Sequence, residues 1–459
     1  MSETVSTKWA RFITGIKYED LPEAVVSRAK DLFLDHLGIQ IGISVMPWCK
    51  AVFQYVKDMN VPGKVPVMNY GFRTHPEFAS LANGTFAHGF EMDDWYPQGA
   101  GHPGCVAVPS AMAYAEEIGG GGKDAIVGTV IGYEIISRLA RGMGQSLIHD
   151  RGVHATSAEG VFGATGVAAR MLGLTEAEAV HAFGLAASHA GGVMEFARTG
   201  GEVKRYHAGL ACSSGGRCAQ LAKCGLTAPP TAIEGKRGVL QALTNKYDVE
   251  VLTSGLGQEY RIFEVGIKAH AAPADMHPML EGARAVMDKN RLKAEDVKEV
   301  ELGVHNGAMW HLGSVGPRPK DVTEAQFSVH FGIAMNLVKG ENTFAVIMDQ
   351  KEKGFRDPEV LAMADKVKMV VDEETERLYP KVRQARVTIR TNDGREFSEL
   401  AVSCKGMPDK PMTKKELEAK FRGLATLVLP ASRVEQIVQM AGELEKLDKL
   451  SRLTSLCVA

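Results

Sequence analysis

Between Pro22 and Gly42 apolar residues recur at Val25, Val26, Ala29, Leu32, Phe33 and Leu37, which puts them on one helical face behind a proline suited to a helix start. Similar patterning predicts helices over residues 123–143 and 158–172, and Thr175 with Glu178 forms a capping box that opens another. Roughly the first 260 residues therefore read as nearly all helical. Small residues crowd this part (GVFGATGVAAR, LAASHAGG, AGLACSSGGRCAQ), so its helix backbones are expected to approach closely. After about residue 290 the period changes to two: Val300, Leu302 and Val304 alternate with Glu299, Glu301 and Gly303, as in a half-buried strand. Further strands are predicted at 368–372 and 385–391, the latter joined through Asn392, Asp393 and Gly394 to 396–402 as a hairpin. Residues 324–337 read as one helix ended by Gly340, and Thr413 with Glu416 opens a last helical stretch. The expected fold is mainly α: a large all-helical domain built from both chain ends (1–267 and 409–459) and a smaller α/β lid domain (268–408).

Composition removes several classes of function. Apolar residues make up 45% and charged residues 24% of the 459 positions, as in an ordinary globular protein. With 53 basic against 55 acidic side chains there is no overall positive field for nucleic acid or an anionic membrane, so a bound anion is expected to be small. The seven cysteines include no CxxC pair, which argues against a zinc knuckle or disulfide framework and for a reducing, cytoplasmic setting. The N-terminus does not read as a secretory signal, and the apolar stretch 125–140 contains Glu134 and Arg138, as a buried helix would. Neither a glycine-rich phosphate loop nor a nucleophile elbow is present, so nucleotide-dependent and serine-hydrolase chemistry have little support.

Candidate chemistry lies in a few stretches. AHGFEMDDWYPQGAGHPG brings together His88, Glu91, Asp93, Asp94, Tyr96 and His102 at the end of an apolar helix, where neighbouring charges can separate the pKa values needed for general acid and base work. Competing readings are a metal site on His88 and Glu91, which lacks the second copy a di-iron bundle needs, and a solvated acidic turn. GGEVKRYHAGLACSSGG offers Lys204, Arg205 and His207 at a helix start, as carboxylate binders or as a solvated basic face. In FEVGIKAHAAPADMHP, Lys268 follows an apolar run; it either loses basicity by desolvation and acts as a base, or snorkels to water. His154 precedes a helix of small residues, whereas His36, His181 and His189 read as ordinary helix histidines.

Four ordered blocks, at residues 83–104, 152–174, 203–215 and 267–278, resemble the MmgE/PrpD family along nearly the whole chain. The resemblance implies a large helical domain from both chain ends, a smaller α/β lid, a homodimer, and an interdomain active site without a required cofactor. It places Asp93, Asp94 and His102 in that site, with His154, Lys204 and Lys268 from the other blocks. The sequence departs from the commoner pattern at Glu91, where many relatives have aspartate, and at Trp95, where many have threonine. It also has one extra residue before His102, and His270-Ala271-Ala272 in place of a Pro-Tyr-Ala-type segment. The expected mechanism has His102 or Lys268 removing the proton beside a carboxylate of a small di- or tricarboxylate, and Asp93 or His154 managing the second proton transfer. Asp94, Lys204, Arg205, His207 and Glu91 are expected to bind substrate, without a metal. Dehydration of a 2-methylcitrate-like acid ranks first, then epimerisation of an iminodisuccinate-like acid, then decarboxylation of a cis-aconitate-like acid; the non-enzyme alternative is a polycarboxylate-binding protein that has kept the fold.

Overall fold

The computed structural model describes residues 3–458, apart from the side chains at 198, 199 and 311. The first patterned helix runs Glu23–Ile43, directly after Pro22. Its apolar face is buried as expected, but so is everything from Leu32 onward, including Asp35, His36 and Gln40. A helix covered on all sides sits at the centre of its fold. Against it lie the helices Pro76–Ala87 and Gly104–Ile118 and, from the far end of the chain, Lys414–Ala425.

Small residues allow the close packing expected of them. Helix Val203–Lys223 lies against both Ala155–Met171 and Pro76–Ala87. A Cβ on Gly209 would stand 2.1 Å from the Leu81 carbonyl oxygen, so this crossing requires glycine. Among the described residues no single helix is long and apolar enough to cross a membrane; Glu23–Ile43 and Pro47–Met59 reach that length only as a pair bent by 87°.

Buried apolar side chains gather into two clusters. One extends from Val5 to Ile267 and takes in Leu417 to Cys457. The other is built mostly from Ala271 to Ile389, completed by Ile39, Trp48, Phe86 and Phe90 from the first part of the chain. Within it a four-stranded sheet has the order Val367–Val371, Val297–Val304, Ala385–Thr391, Glu396–Ala401. The first pair is parallel, with Val300 opposite Val367, and the remaining pairs are antiparallel. Helix His277–Asn290 covers the hairpin strands of this sheet. The protein is thus mainly α with a small α/β portion.

Two local expectations need correction. Residues 324–337 do not form one helix: Val322–Phe327 and Val329–Lys339 are separated at Ser328, whose hydroxyl accepts from the Phe331 N–H at 3.1 Å and caps the second piece. The helical half also contains a short antiparallel ladder, Asp94–Trp95 on Gly266–Ile267, with Asp94 opposite Ile267. Two-residue strands carry no readable period. This ladder nevertheless brings Lys268 beside Asp93, whose carbonyl accepts from the Lys268 N–H at 3.2 Å.

Candidate active site

Helix ends converge around that ladder. Pro76–Ala87 ends at His88, and the chain then turns through Phe90 (φ 67°) and Glu91 (φ 52°) before Asp93 and Asp94. Left-handed backbone at such side chains costs about 1–3 kcal/mol each and persists only where its surroundings hold it. Gln326 does so here, donating from Nε2 to the Phe90 carbonyl at 2.7 Å. His102 lies just before helix Gly104–Ile118, His154 is the N-cap of Ala155–Met171, and Lys204, Arg205 and His207 lie in the first turns of Val203–Lys223.

Opposite charges are paired in the interior. Lys268 Nζ donates to Asp93 Oδ1 at 2.9 Å and to Glu91 Oε2 at 3.1 Å, and Lys204 Nζ donates to Glu91 Oε1. All four side chains are buried. Burial alone would raise both carboxyls, but Lys204 and Lys268 around Glu91, and Lys268 with His102 and His88 around Asp93, hold both well below the usual carboxylate range. The lysines diverge. For Lys204 burial outweighs its attraction to Glu91 and lowers its pKa, whereas for Lys268 two carboxylates outweigh burial and raise it. The two carboxylates thus oppose the loss of basicity expected for Lys268.

The histidines are held by the same carboxylate. His88 Nδ1 lies 2.9 Å from Asp93 Oδ2, and His102 Nδ1 lies 3.0 Å from that oxygen and 2.6 Å from the Asp94 carbonyl oxygen. A carbonyl only accepts, so His102 Nδ1 carries hydrogen and the neutral ring leaves Nε2 as its basic atom. Burial lowers the His88 pKa to about 4, so that ring is neutral at pH 7. His154 is likewise pushed well below the usual value, first by burial and then by its cationic and imidazole neighbours. Its Nδ1 lies 3.0 Å from His207 Nδ1, so one of these rings donates and the other accepts.

A cavity enclosing about 870 Å³ of empty space, its open mouth included, opens onto this cluster. Glu91, His102, His154 and Lys204 line its inner end, and Asp275, Tyr379 and Arg383 line it from the other side. Of the remaining residues expected to bind substrate or act on it, Asp93 and Lys268 stand directly behind Glu91 and His102. Asp94, Arg205 and His207 are not among the residues lining this cavity. Asp94 instead accepts from the Gly104 N–H at 3.1 Å and the Tyr133 hydroxyl at 2.6 Å, and its Oδ1 lies 3.4 Å from His36 Nε2. Arg205 donates to Gln326 Oε1 at 3.2 Å, tying the helix start to the residue that holds the Glu91 turn. His207 supports His154.

Sequence reasoning missed His36, Tyr133 and Arg383, and named His88 in the acid/base cluster and as a competing metal ligand but not among the expected site residues. His36 read as an ordinary helix histidine; Asp94 outweighs its burial and raises its pKa. Nothing in the local pattern around Tyr133 or Arg383 marks either one.

A metal fits poorly. His88, Asp93 and Cys105 bring ligand atoms within 4.8 Å of one another. Asp93, however, already accepts from Lys268 and faces two imidazoles, and the Cys105 thiol donates to the His102 carbonyl at 3.1 Å.

Comparison with known proteins gives this cluster a context. The MmgE/PrpD N-terminal domain matches residues 7–252 and the MmgE/PrpD C-terminal domain matches residues 270–446. The chain is 27% identical to the cis-aconitate decarboxylase-like protein oryM of Aspergillus oryzae, over 98% of this chain and 97% of that protein. Identity is 26% to a cis-aconitate decarboxylase of Aspergillus terreus (98% and 95% covered) and 25% to that of Homo sapiens (99% and 95%). Both halves of the sequence thus match in order and nearly end to end, and the chain belongs to the MmgE/PrpD family.

Proposed function

We propose that this protein is a lyase that needs no cofactor and dehydrates a small 2-hydroxy di- or tricarboxylate, by removing a proton from the carbon beside a carboxylate. The observation that carries this reading is the His102 ring: its Nδ1–H is fixed on the Asp94 carbonyl beside the Asp93 carboxylate, and the ring lines the cavity. His102 Nε2 takes the C–H proton. The electron pair left behind forms the carbon–carbon double bond as the neighbouring C–O bond breaks. Lys204, whose burial makes its ammonium more acidic than usual, gives the departing hydroxyl the proton that turns it into water. Asp93, held ionised, cannot donate; it stabilises the imidazolium formed on His102. After release, solvent returns the proton from His102 to Lys204.

A second reading has its own support, since the relatives named above are cis-aconitate decarboxylases or decarboxylase-like. In that reaction a C–C bond breaks, carbon dioxide leaves, and the carbon retaining the electron pair takes a proton from the same cluster. Incubation with 2-methylcitrate and cis-aconitate in heavy water, followed by NMR, separates the two. Loss of water from 2-methylcitrate supports dehydration, and release of carbon dioxide from cis-aconitate supports decarboxylation. Deuterium exchange with neither loss points to epimerisation. A broad polycarboxylate panel without label or product leaves a binding protein and overturns both readings.

A further inference from the structure

The inner end of the cavity commits its cations to the protein's own carboxylates: Lys204 and Lys268 face Glu91 and Asp93, two positive charges against two negative. A substrate carboxylate arriving there meets a balanced quartet, so a strong anchor has to lie elsewhere. At the other side of the cavity Arg383 Nη1 donates to Asp275 Oδ1 at 2.6 Å, and Arg383 Nε is buried without a hydrogen-bond partner. The guanidinium carries five N–H donors, lines the cavity and has Asp275 as its carboxylate partner; a second carboxylate is the ligand that matches its remaining donors, because two oxygens fit one edge of the guanidinium fork.

The surroundings hold that group in place. The Arg383 guanidinium carbon lies 5.4 Å from the centroid of the Tyr379 ring. The same ring stacks on His305 at 3.7 Å and 13°. The Tyr379 hydroxyl lies 3.3 Å from His149 Nε2, which ties this side of the cavity to the helical part of the chain. We propose that Arg383 anchors the substrate carboxylate farthest from the reacting carbon and so selects which polycarboxylates are accepted. The inference rests on the polycarboxylate reading above and adds to it a second, separate anion subsite.

Calorimetric titration of the full chain with tricarballylate, glutarate and butyrate tests it, because these acids carry three, two and one carboxylates and have no hydroxyl to lose. Arg383→Gln is expected to weaken tricarballylate binding about 30-fold and butyrate binding by less than about 3-fold. Asp275→Asn keeps the cation and removes its competitor, so it is expected to tighten tricarballylate about 3-fold or more. An Arg383→Gln protein with unchanged melting temperature and the wild-type preference for tricarballylate over butyrate overturns the anchor alone. If Arg383→Gln does not fold, Asp275→Asn decides, and a protein without tighter tricarballylate binding overturns the proposal. Wild-type protein that binds none of the three acids overturns the polycarboxylate reading and the anchor with it.

Discussion

Asp93 and Asp94 are neighbours in sequence, both fully buried and both held below the usual aspartate pKa, yet they belong to different layers of the molecule. Asp93 meets Lys268, His88 and His102, and through His102 it reaches the cavity. Asp94 meets Tyr133, His36 and the Gly104 N–H, and holds the start of helix Gly104–Ile118. One residue step at the entry to the Asp94–Trp95 strand thus separates the two layers. The second layer is close-packed: a Cβ on Gly104 would stand 2.0 Å from His36 Nε2 and 2.1 Å from the Tyr133 hydroxyl. Burial and a depressed pKa are common to both aspartates, so neither identifies the chemistry. The difference is whether the hydrogen-bonded partner opens onto the cavity.

The largest expected effect comes from removing the cation shared by the first layer. Lys268→Ala leaves Asp93 without its ammonium partner and Glu91 with only Lys204, and is expected to cost about 3–5 kcal/mol in urea unfolding as well as turnover. Next, the two aspartates should separate in the same pair of assays. Asp93→Asn is expected to lower kcat about 100-fold. Asp94→Ala is expected to lose about 2–3 kcal/mol of stability, through the hydrogen bonds it no longer accepts, with a smaller loss of kcat than Asp93→Asn. Equal effects on kcat and stability from both substitutions would contradict the division into layers.

A smaller effect concerns pH. His88, lowered to about 4, binds a proton less readily when folded than when unfolded. Its contribution to stability is therefore present above the unfolded value of about 6.5 and is lost as pH falls through that value toward 4. His154, also depressed, adds to the same slope. Urea midpoints measured between about pH 7 and about pH 4.5 should fall with acidification, less steeply in His88→Asn. A variant with the wild-type slope would show that His88 is not buried in the neutral form.

Much of the fold was legible because it rests on local pattern. The Glu23–Ile43 helix followed from its apolar spacing, and the hairpin of Ala385–Thr391 with Glu396–Ala401 from alternation around Asn392, Asp393 and Gly394. The break at Ser328 was not legible, because apolar residues continue across it and a serine cap looks like any polar position. In the site, the sequence stretches supplied Glu91, Asp93, His102, His154, Lys204 and Lys268, but not the environment of each. Lys268 follows an apolar run, which pointed to lost basicity; its partners lie 175 and 177 residues away and reverse the sign. Arg383 sits in a stretch without periodicity or motif, and its meaning comes only from the cavity it faces.

The proposed chemistry turns on His102 Nε2 receiving the proton removed from carbon. The most direct measurement is deuterium exchange at the carbon beside a carboxylate of the accepted substrate in heavy water, read by NMR for the wild-type chain and His102→Asn, with tricarballylate binding measured on both. His102→Asn is expected to slow exchange about a thousandfold and to leave tricarballylate affinity unchanged within about 3-fold. Exchange in His102→Asn at a rate within about tenfold of wild type would contradict it and assign the proton to another base.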